Sequence, residues 1–287
     1  MLKSFLIELA DKAGIIKLKR LIFKRFNYSR TNYLNDRKII VPSINGIRYT
    51  HSELWMLELL RELLGIQKGV FLDIGVNVGQ TLVKLKALDP ERIYVGFEPN
   101  PTCIYYVNEL LKANKFSHCT LVPIGLFTHD GLLSLGMYTD DPSDASASLM
   151  REFRPGGIIC AQIFVPSFRY DSVASLLEIG TVGIVKIDVE GAEIEVLRSL
   201  AGMIQRDMPV ILLEVVATYE IAFRIDRQKE LEELFHSINY TIYRVEKTKT
   251  DEFAGLKQIE NFSNRDDPTR SDYVAFPYGQ IPVKSIV

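Results

Sequence analysis

The sequence predicts a doubly wound α/β sheet, mostly parallel, that closes on an antiparallel edge. Three observations carry this. Short apolar runs recur along the chain, and several end in an acid. Helical stretches fall between them, the pattern of a parallel sheet covered on both faces. The first run leads into a glycine-containing turn and a helix, the place where ligands of such sheets bind.

In chain order, residues 2–26 mix Phe5, Leu6, Leu9, Ala13, Ile16, Leu21 and Ile22 with Lys and Arg at loosely helical spacing. Ile39–Val41 and Ile47–Tyr49 flank a Pro-Ser-Ile-Asn-Gly turn and read as two short strands. His51 to Leu64 has a wide apolar helical face stopped by Gly65. Strands are then expected at Val70–Ile74, Arg92–Glu98, Thr120–Gly125, Gly183–Val189 and Pro209–Val216. Helices are expected at Gln80–Leu88, Thr102–Asn114, Asp171–Ile179, Ala192–Ile204 and Asp226–Ile238. Tyr240–Val245 and Ser271–Pro277 lack an obvious crossover helix and a polar stretch separates them, which suggests the antiparallel edge. Residues 126–170 interrupt the alternation with two strand-like runs around a Ser/Asp-rich loop, where substrate loops of α/β sheets usually sit. The division is an N-terminal extension over 1–50, partly helical and basic, and one domain over 51–287 with an insertion at about 126–170.

The 287 residues are 47% hydrophobic and 24% charged, enough for a sizeable core and unlike a disordered or disulfide-dense chain. No apolar run reaches the roughly 18–20 residues of a membrane span, and the start shows no signal peptide. Cys103, Cys119 and Cys160 are too scattered for a disulfide framework or a metal knuckle. A reducing cytoplasm is the expected setting. Residues 1–40 carry ten Lys/Arg against three acids, so the net charge of −2 hides a body of −9. Such a body is a poor nucleic-acid binder. The basic arm suits peripheral contact with an anionic membrane, or a solvated helix packed on its own domain.

The chemistry concentrates in two stretches. In Phe71-Leu72-Asp73-Ile74-Gly75-Val76-Asn77-Val78-Gly79-Gln80-Thr81, Gly75 and Gly79 allow close backbone approach and a helix opens near Gln80. The next strand ends in Glu98-Pro99, an acid placed to accept both hydroxyls of a ribose. The turn reads GxNxG, not the dinucleotide GxGxxG, and Asp73 before it repels pyrophosphate but suits an α-ammonium. These electrostatics choose S-adenosylmethionine over NAD. Expected cofactor contacts are Asp73, Gly75, Asn77, Gly79, Gln80, Thr81, Glu98, Pro99, Gly125, Leu126, Ser148 and Asp188. In the second stretch, Val185-Lys186-Ile187-Asp188-Val189-Glu190-Gly191-Ala192-Glu193, alternation sends Lys186, Asp188 and Glu190 to one side. Charges at the end of a central strand are costly unless paired or used. Asp188 and Glu190 are the candidate bases, Lys186 their partner, and Glu214 ends the neighbouring strand. Magnesium bridging carboxylates and substrate hydroxyls makes physical sense but has no motif.

With Leu72 to Gly79, Phe97-Glu98-Pro99-Asn100, Ala147-Ser148-Leu149 and above all Lys186 to Glu193, the chain resembles the FkbM family of S-adenosylmethionine-dependent methyltransferases over about residues 65–277. Val76 departs from the alanine often found there. The resemblance implies the Rossmann-like class I methyltransferase fold, a seven-stranded sheet with a reversed last strand. It also implies O-methylation of sugar or polyketide hydroxyls, here of a sugar or a glycosylated or lipid-linked metabolite. A nicotinamide-dependent oxidoreductase or epimerase is the competing enzyme reading. It lacks its glycine fingerprint, and Tyr94, Tyr105, Tyr106, Tyr138 and Tyr170 have no Lys four residues on. A non-catalytic cofactor-binding subunit is the competing reading from another class.

Overall fold

The computed structural model describes residues 27–50, 52–262 and 267–280. The predicted helix over 2–26, and with it most of the basic arm, lies outside these residues, as does His51.

The described chain opens with a small antiparallel sheet of β1 (Tyr28–Leu34), β2 (Arg37–Ile44) and β3 (Ile47–Arg48). Its two hairpin turns, Asn35-Asp36 and Asn45-Gly46, have positive φ at both central residues, the geometry that matches strand twist. The second turn and its strands follow the sequence expectation; β1 does not, because its mostly polar, half-exposed residues give no apolar period. The sheet is fastened to the helix of residues 101–114. Asn114 accepts from the Ile40 N–H at 2.7 Å and donates to the Ile40 carbonyl at 2.7 Å. The Tyr106 hydroxyl bridges the Tyr49 N–H and the Pro42 carbonyl.

The central body alternates α1 (Leu54–Ile66), β4 (Val70–Ile74), α2 (Gln80–Leu88), β5 (Tyr94–Phe97), α3 (Pro101–Asn114) and β6 (Cys119–Val122). The insertion then supplies β7 (Gly125–Leu126), β8 (Gly131–Met137) and β9 (Ala161–Phe168), a separate sheet in the order β7-β9-β8. The predicted strand 120–125 is thus divided between two sheets. After α4 (Tyr170–Ala174) come β10 (Val182–Ile187), α5 (Glu193–Ser199), α6 (Ala201–Asp207), β11 (Val210–Glu214), α7 (Ala222–Ser237), β12 (Tyr240–Lys247), β13 (Phe253–Gln258) and β14 (Asp272–Pro277). Helix α4 stops short of the expected 171–179, with Leu176 exposed and Glu178 at positive φ.

The main sheet has the order β13-β12-β14-β11-β10-β4-β5-β6. Strands β6, β5, β4, β10 and β11 are parallel, and β14 runs antiparallel between β11 and β12. This is the expected doubly wound sheet with a reversed last strand, with two corrections. The reversed strand is not an edge: Tyr273, Val274, Ala275 and Phe276 are buried, as a central strand requires. The edge is β13, in the stretch read as polar, whose residues are partly exposed and which makes an eighth strand. Alternation along the strands sorts the core into two layers. Phe71, Tyr94, Ile184, Leu212 and Val274 face α1, α2 and α3, whereas Leu72, Val185, Ile187 and Leu213 face α5, α6 and α7. Asp73, Lys186, Glu214 and Asp272 share the period of the first layer and end it at the carboxyl edge of the parallel strands.

Candidate active site

The turn after β4 is built by contact as much as by conformation. Gly75 has φ +87°, and a Cβ there would lie 1.8 Å from the Asp188 carbonyl oxygen. Its N–H donates to Phe97 O at 2.9 Å, and the Asp188 N–H donates to Ile74 O at 3.0 Å. The turn is therefore wedged between the ends of β5 and β10, where only glycine fits. Asn77, at φ +48°, accepts the Val78 N–H with its own side chain. Gly79, at φ +83°, leads into α2.

Glu98 lies just past β5 and is 6% exposed. One carboxylate oxygen accepts the Asn77 N–H and the other the Asn100 N–H, each at 2.8 Å. Burial lifts its pKa to about 7 despite these two bonds. Lys186 is the hub of the opposite side. Its ammonium donates to the Gly75 carbonyl at 2.9 Å and to Asp188 at 3.0 Å, and lies 3.5 Å from Asp73. Burial alone would lower the Lys186 pKa, but the charges of Asp188 and Asp73 outweigh it and raise it. Between Glu98 and Lys186 opens a cavity of about 220 Å³. Six acids line it (Glu53, Glu98, Asp144, Asp188, Glu190 and Glu214), and among the described residues Lys186 is its one basic side chain. Such a wall suits a ligand with positive charge and hydroxyls, and is hostile to a pyrophosphate.

A family model, the methyltransferase FkbM domain, matches residues 73–254, which hold this turn, Glu98 and the Lys186 hub. The chain belongs to the FkbM methyltransferase family. No curated protein matches the sequence. Among solved structures, methyltransferase FkbM from Methylobacillus flagellatus is similar at 14% identity and a TM-score of 0.45. That match covers 74% of this chain and 45% of the other, so this chain spans less than half the length of that relative. The O-methyltransferase TomG from Streptomyces achromogenes, solved in complex with SAM, is similar at 12% identity and a TM-score of 0.46, over 82% of this chain and 84% of that one. Precorrin-6y C5,15-methyltransferase from Geobacter metallireducens is similar at 15% identity and a TM-score of 0.40, over 79% of this chain and 88% of that one.

In this member of the FkbM methyltransferase family the cavity brings together Gly75, Asn77, Gln80, Thr81, Glu98, Pro99, Gly125, Leu126, Lys186, Asp188, Glu190 and Glu214. Three expected residues stand outside its wall. Asp73 is fully buried beneath the turn, accepting from the Tyr94 hydroxyl at 2.7 Å and facing Lys186. It supports the hub and does not reach the cavity, because its place on β4 turns it into the layer under α2. Gly79 serves as the residue before α2. Ser148 donates to the Glu190 carbonyl at 2.6 Å, so it acts on the wall from behind.

Other participants gave little sequence signal. Glu53, the residue before α1, sits at φ +53° and reaches the cavity from outside the family-matched segment. Lys84, 2% exposed on α2, pairs with it at 3.0 Å. Burial raises the Glu53 pKa, but Lys84 outweighs it and leaves it lowered. Glu53, Glu214 and Asp272 bring carboxylate oxygens within 4.8 Å of one another, close enough to share a proton or a cation. Lys84 and Lys247 already partner Glu53 and Asp272. Burial and the surrounding acids Asp188, Asp272, Glu190 and Glu53 push Glu214 far above the carboxylate range, which favours the shared proton. Asp144, visible in sequence only as part of a turn-forming run, accepts from the N–H groups of Tyr138, Thr139 and Ser146 and shapes the loop over the cavity.

Proposed function

We propose that this FkbM methyltransferase transfers a methyl group from S-adenosylmethionine to a hydroxyl oxygen of a sugar or a glycosylated or lipid-linked metabolite. The observation that carries the reading is one cavity with Glu98 on one wall and Asp188 and Lys186 on the other, over the Gly75 turn. The wall fits the cofactor. Each Glu98 oxygen spends one lone pair on a backbone N–H and keeps another for a ribose hydroxyl. Gly125 and Leu126 offer an apolar strip for a base, and the acids near Gly75 suit a sulfonium and an ammonium. S-adenosylmethionine, when bound, supplies the electrophilic methyl carbon.

The chain's own residues then hold the acceptor in line and remove its proton, which together account for most of the acceleration such a reaction needs. Asp188 is the base best placed to do so. It lines the cavity and is a third exposed, and Lys186 holds it at 3.0 Å. Glu190 is engaged by Arg154, and Glu214 favours its protonated form. Glu53 and Glu214 are available to accept from further acceptor hydroxyls. Magnesium is not needed for any of these roles. For residues 1–40 we propose peripheral contact with an anionic membrane, which would serve a lipid-linked acceptor. No helix among the described residues is long and apolar enough to cross a membrane.

Titration calorimetry with S-adenosylhomocysteine and with NAD tests the cofactor reading. Binding of the first and not the second is expected. Glu98→Ala should weaken it by about 1–3 kcal/mol, the scale of a hydrogen bond to a charged group. Tight NAD binding without S-adenosylhomocysteine binding would overturn the proposal.

A further inference from the structure

Between β8 and β9 the chain leaves regular structure at about residue 138, and over 139–154 it makes a single turn of 3₁₀ helix at Arg151–Phe153 and one antiparallel bridge, Ser148 to Gly136 of β8. This segment contributes Asp144, Ala145, Ala147 and Leu149 to the cavity wall. It is pinned at both rims of the cavity. On the Glu98 side, Asn77 donates to Ser143 O at 3.2 Å and Asn100 donates to Pro142 O at 2.9 Å. On the β10 side, Ser148 donates to Glu190 O, and Arg154 donates to the Glu190 carboxylate at 2.7 Å. Phe153 lies so close to Gly191 that a Cβ there would sit 2.4 Å from its ring, and Arg224 donates to the Phe153 carbonyl at 2.9 Å. The segment thus crosses the cavity as a strap.

We propose that Arg154 is a positioning residue that latches this strap to Glu190 and so sets how fast the cofactor product leaves. This rests on the cofactor reading above. Of the named pins, Arg154–Glu190 is the one ion pair. Arg224 on the Phe153 carbonyl has a charged donor but a neutral acceptor, and the remaining pins are neutral hydrogen bonds, whereas a bond between two opposite charges at a partly buried site is stronger than a neutral one. The Arg154 side chain is 28% exposed and that of Glu190 18%, so salt screens the pair only in part. Arg154 is also seated over the Tyr138 ring, at 5.5 Å from its centroid. Its guanidinium therefore ties the start of the strap, its end and the β10 rim together.

The latch is sensitive to pH. Glu190 faces Arg154 from the strap, Asp188 from the end of β10, Glu193 from the start of α5, Glu214 from the end of β11 and Arg224 from α7. Burial and then Asp188 raise its pKa to about 7, against the pull of Arg154. Above that value the carboxylate is ionised and the pair is intact. Below it the carboxyl is protonated and the latch is weakened. Glu98 titrates in the same range and also faces the cofactor. The ratio of variant to parent rates removes that shared contribution.

The experiment loads the full chain with radiolabelled S-adenosylhomocysteine and follows its release into excess unlabelled compound at pH 8 and pH 5.5. For Arg154→Gln the release rate should exceed the parent's by roughly 10-fold at pH 8, the scale of one charge-assisted hydrogen bond. The ratio should fall close to one at pH 5.5. Arg154→Lys should restore part of the retention at pH 8. Equal release from parent and Arg154→Gln at pH 8, or a ratio that does not change with pH, overturns the latch and leaves the cofactor assignment standing. A parent chain that takes up no S-adenosylhomocysteine overturns the cofactor assignment and the latch together.

Discussion

Replacing Gly75 by alanine probes the contact on which the whole site rests. A Cβ at this position would stand 1.8 Å from the Asp188 carbonyl oxygen and 2.9 Å from its carbon, both of them backbone atoms. Real Cβ contacts stay beyond 3.0 Å, so the ends of β4 and β10 must part by at least about 1.2 Å. That movement strains the Asp188 N–H bond to Ile74 O, which closes the two strands above the turn. Left-handed backbone adds about 1–2 kcal/mol for a residue with a Cβ, and overpacking adds about 1–3 kcal/mol. The expected loss is roughly 2–5 kcal/mol, a fall in melting temperature on the order of 4–20 °C for a domain of this size. Cofactor affinity should fall further. A displacement near 1 Å in a positioned site costs on the order of 100-fold, and both the Gly75 carbonyl that Lys186 grips and Asp188 itself would move. Gly79→Ala is the control. It shares the positive φ, at +83°, but its Cβ would meet Leu110 Cδ2 at 3.2 Å, the end of a mobile side chain. It should cost only about the 1–2 kcal/mol of conformation. Differential scanning calorimetry and S-adenosylhomocysteine titration of the two variants decide the matter. A Gly75→Ala chain that melts and binds like Gly79→Ala would refute the wedge between β4 and β10.

Two further expectations follow from the same geometry. With any acceptor the unmutated chain methylates, Asp188→Asn should lower turnover by about 100-fold or more and weaken S-adenosylhomocysteine binding by much less than that; parent-like turnover would remove Asp188 as the base. Vesicles of anionic lipid at low salt should retain the full chain more than one lacking residues 1–26, which hold seven of the ten cations of residues 1–40. Each cation near the surface is worth about 1 kcal/mol. Equal recovery of both, or recovery indifferent to lipid charge, would count against a membrane role. The cut belongs at 26 because β1 and β2 are one hairpin packed on α3, and a cut at 40 would remove β1 and half of β2, the buried Ile39 included, and leave Val41 uncovered.

The features legible in the sequence are those fixed by local period and by residue type. Apolar runs such as Val70–Ile74 and Val210–Glu214 announce strands buried on both faces, and the two-residue period is enough to place Asp73, Lys186 and Glu214 on one layer. The Gly75–Gly79 turn is legible because few other functions demand glycine there. What escaped depends on partners distant in sequence. Strand β14 reads as an edge until β11 and β12 are known to flank it, and β13 is hidden because a half-exposed edge strand need not be apolar. Glu53 has no motif. It becomes a cavity residue only because Lys84, 31 positions on, is buried beneath it and needs a counter-charge.

Asp73 shows how a sound inference can rest on the wrong atom. Its charge argues in the sequence for an ammonium and against a pyrophosphate, as though the carboxylate faced the ligand. It is fully buried, held by the Tyr94 hydroxyl and the Lys186 ammonium. Its electrostatic work is therefore spent on Lys186, and without it the buried ammonium would have Asp188 as its remaining acidic neighbour in the hub. Holding Lys186 fixes the Gly75 carbonyl on one side and the Asp188 carboxylate on the other. The exclusion of phosphate passes to acids that line the cavity, Glu98 on one wall and Asp188, Glu190 and Glu53 on the other. The preference read from Asp73 survives because the acid beneath the turn and the acids above it are coupled through one lysine. Lys186→Met should then do what no single acid replacement can. It would leave Asp73 and Asp188 unneutralised together, so the turn and the proposed base would be lost in one step.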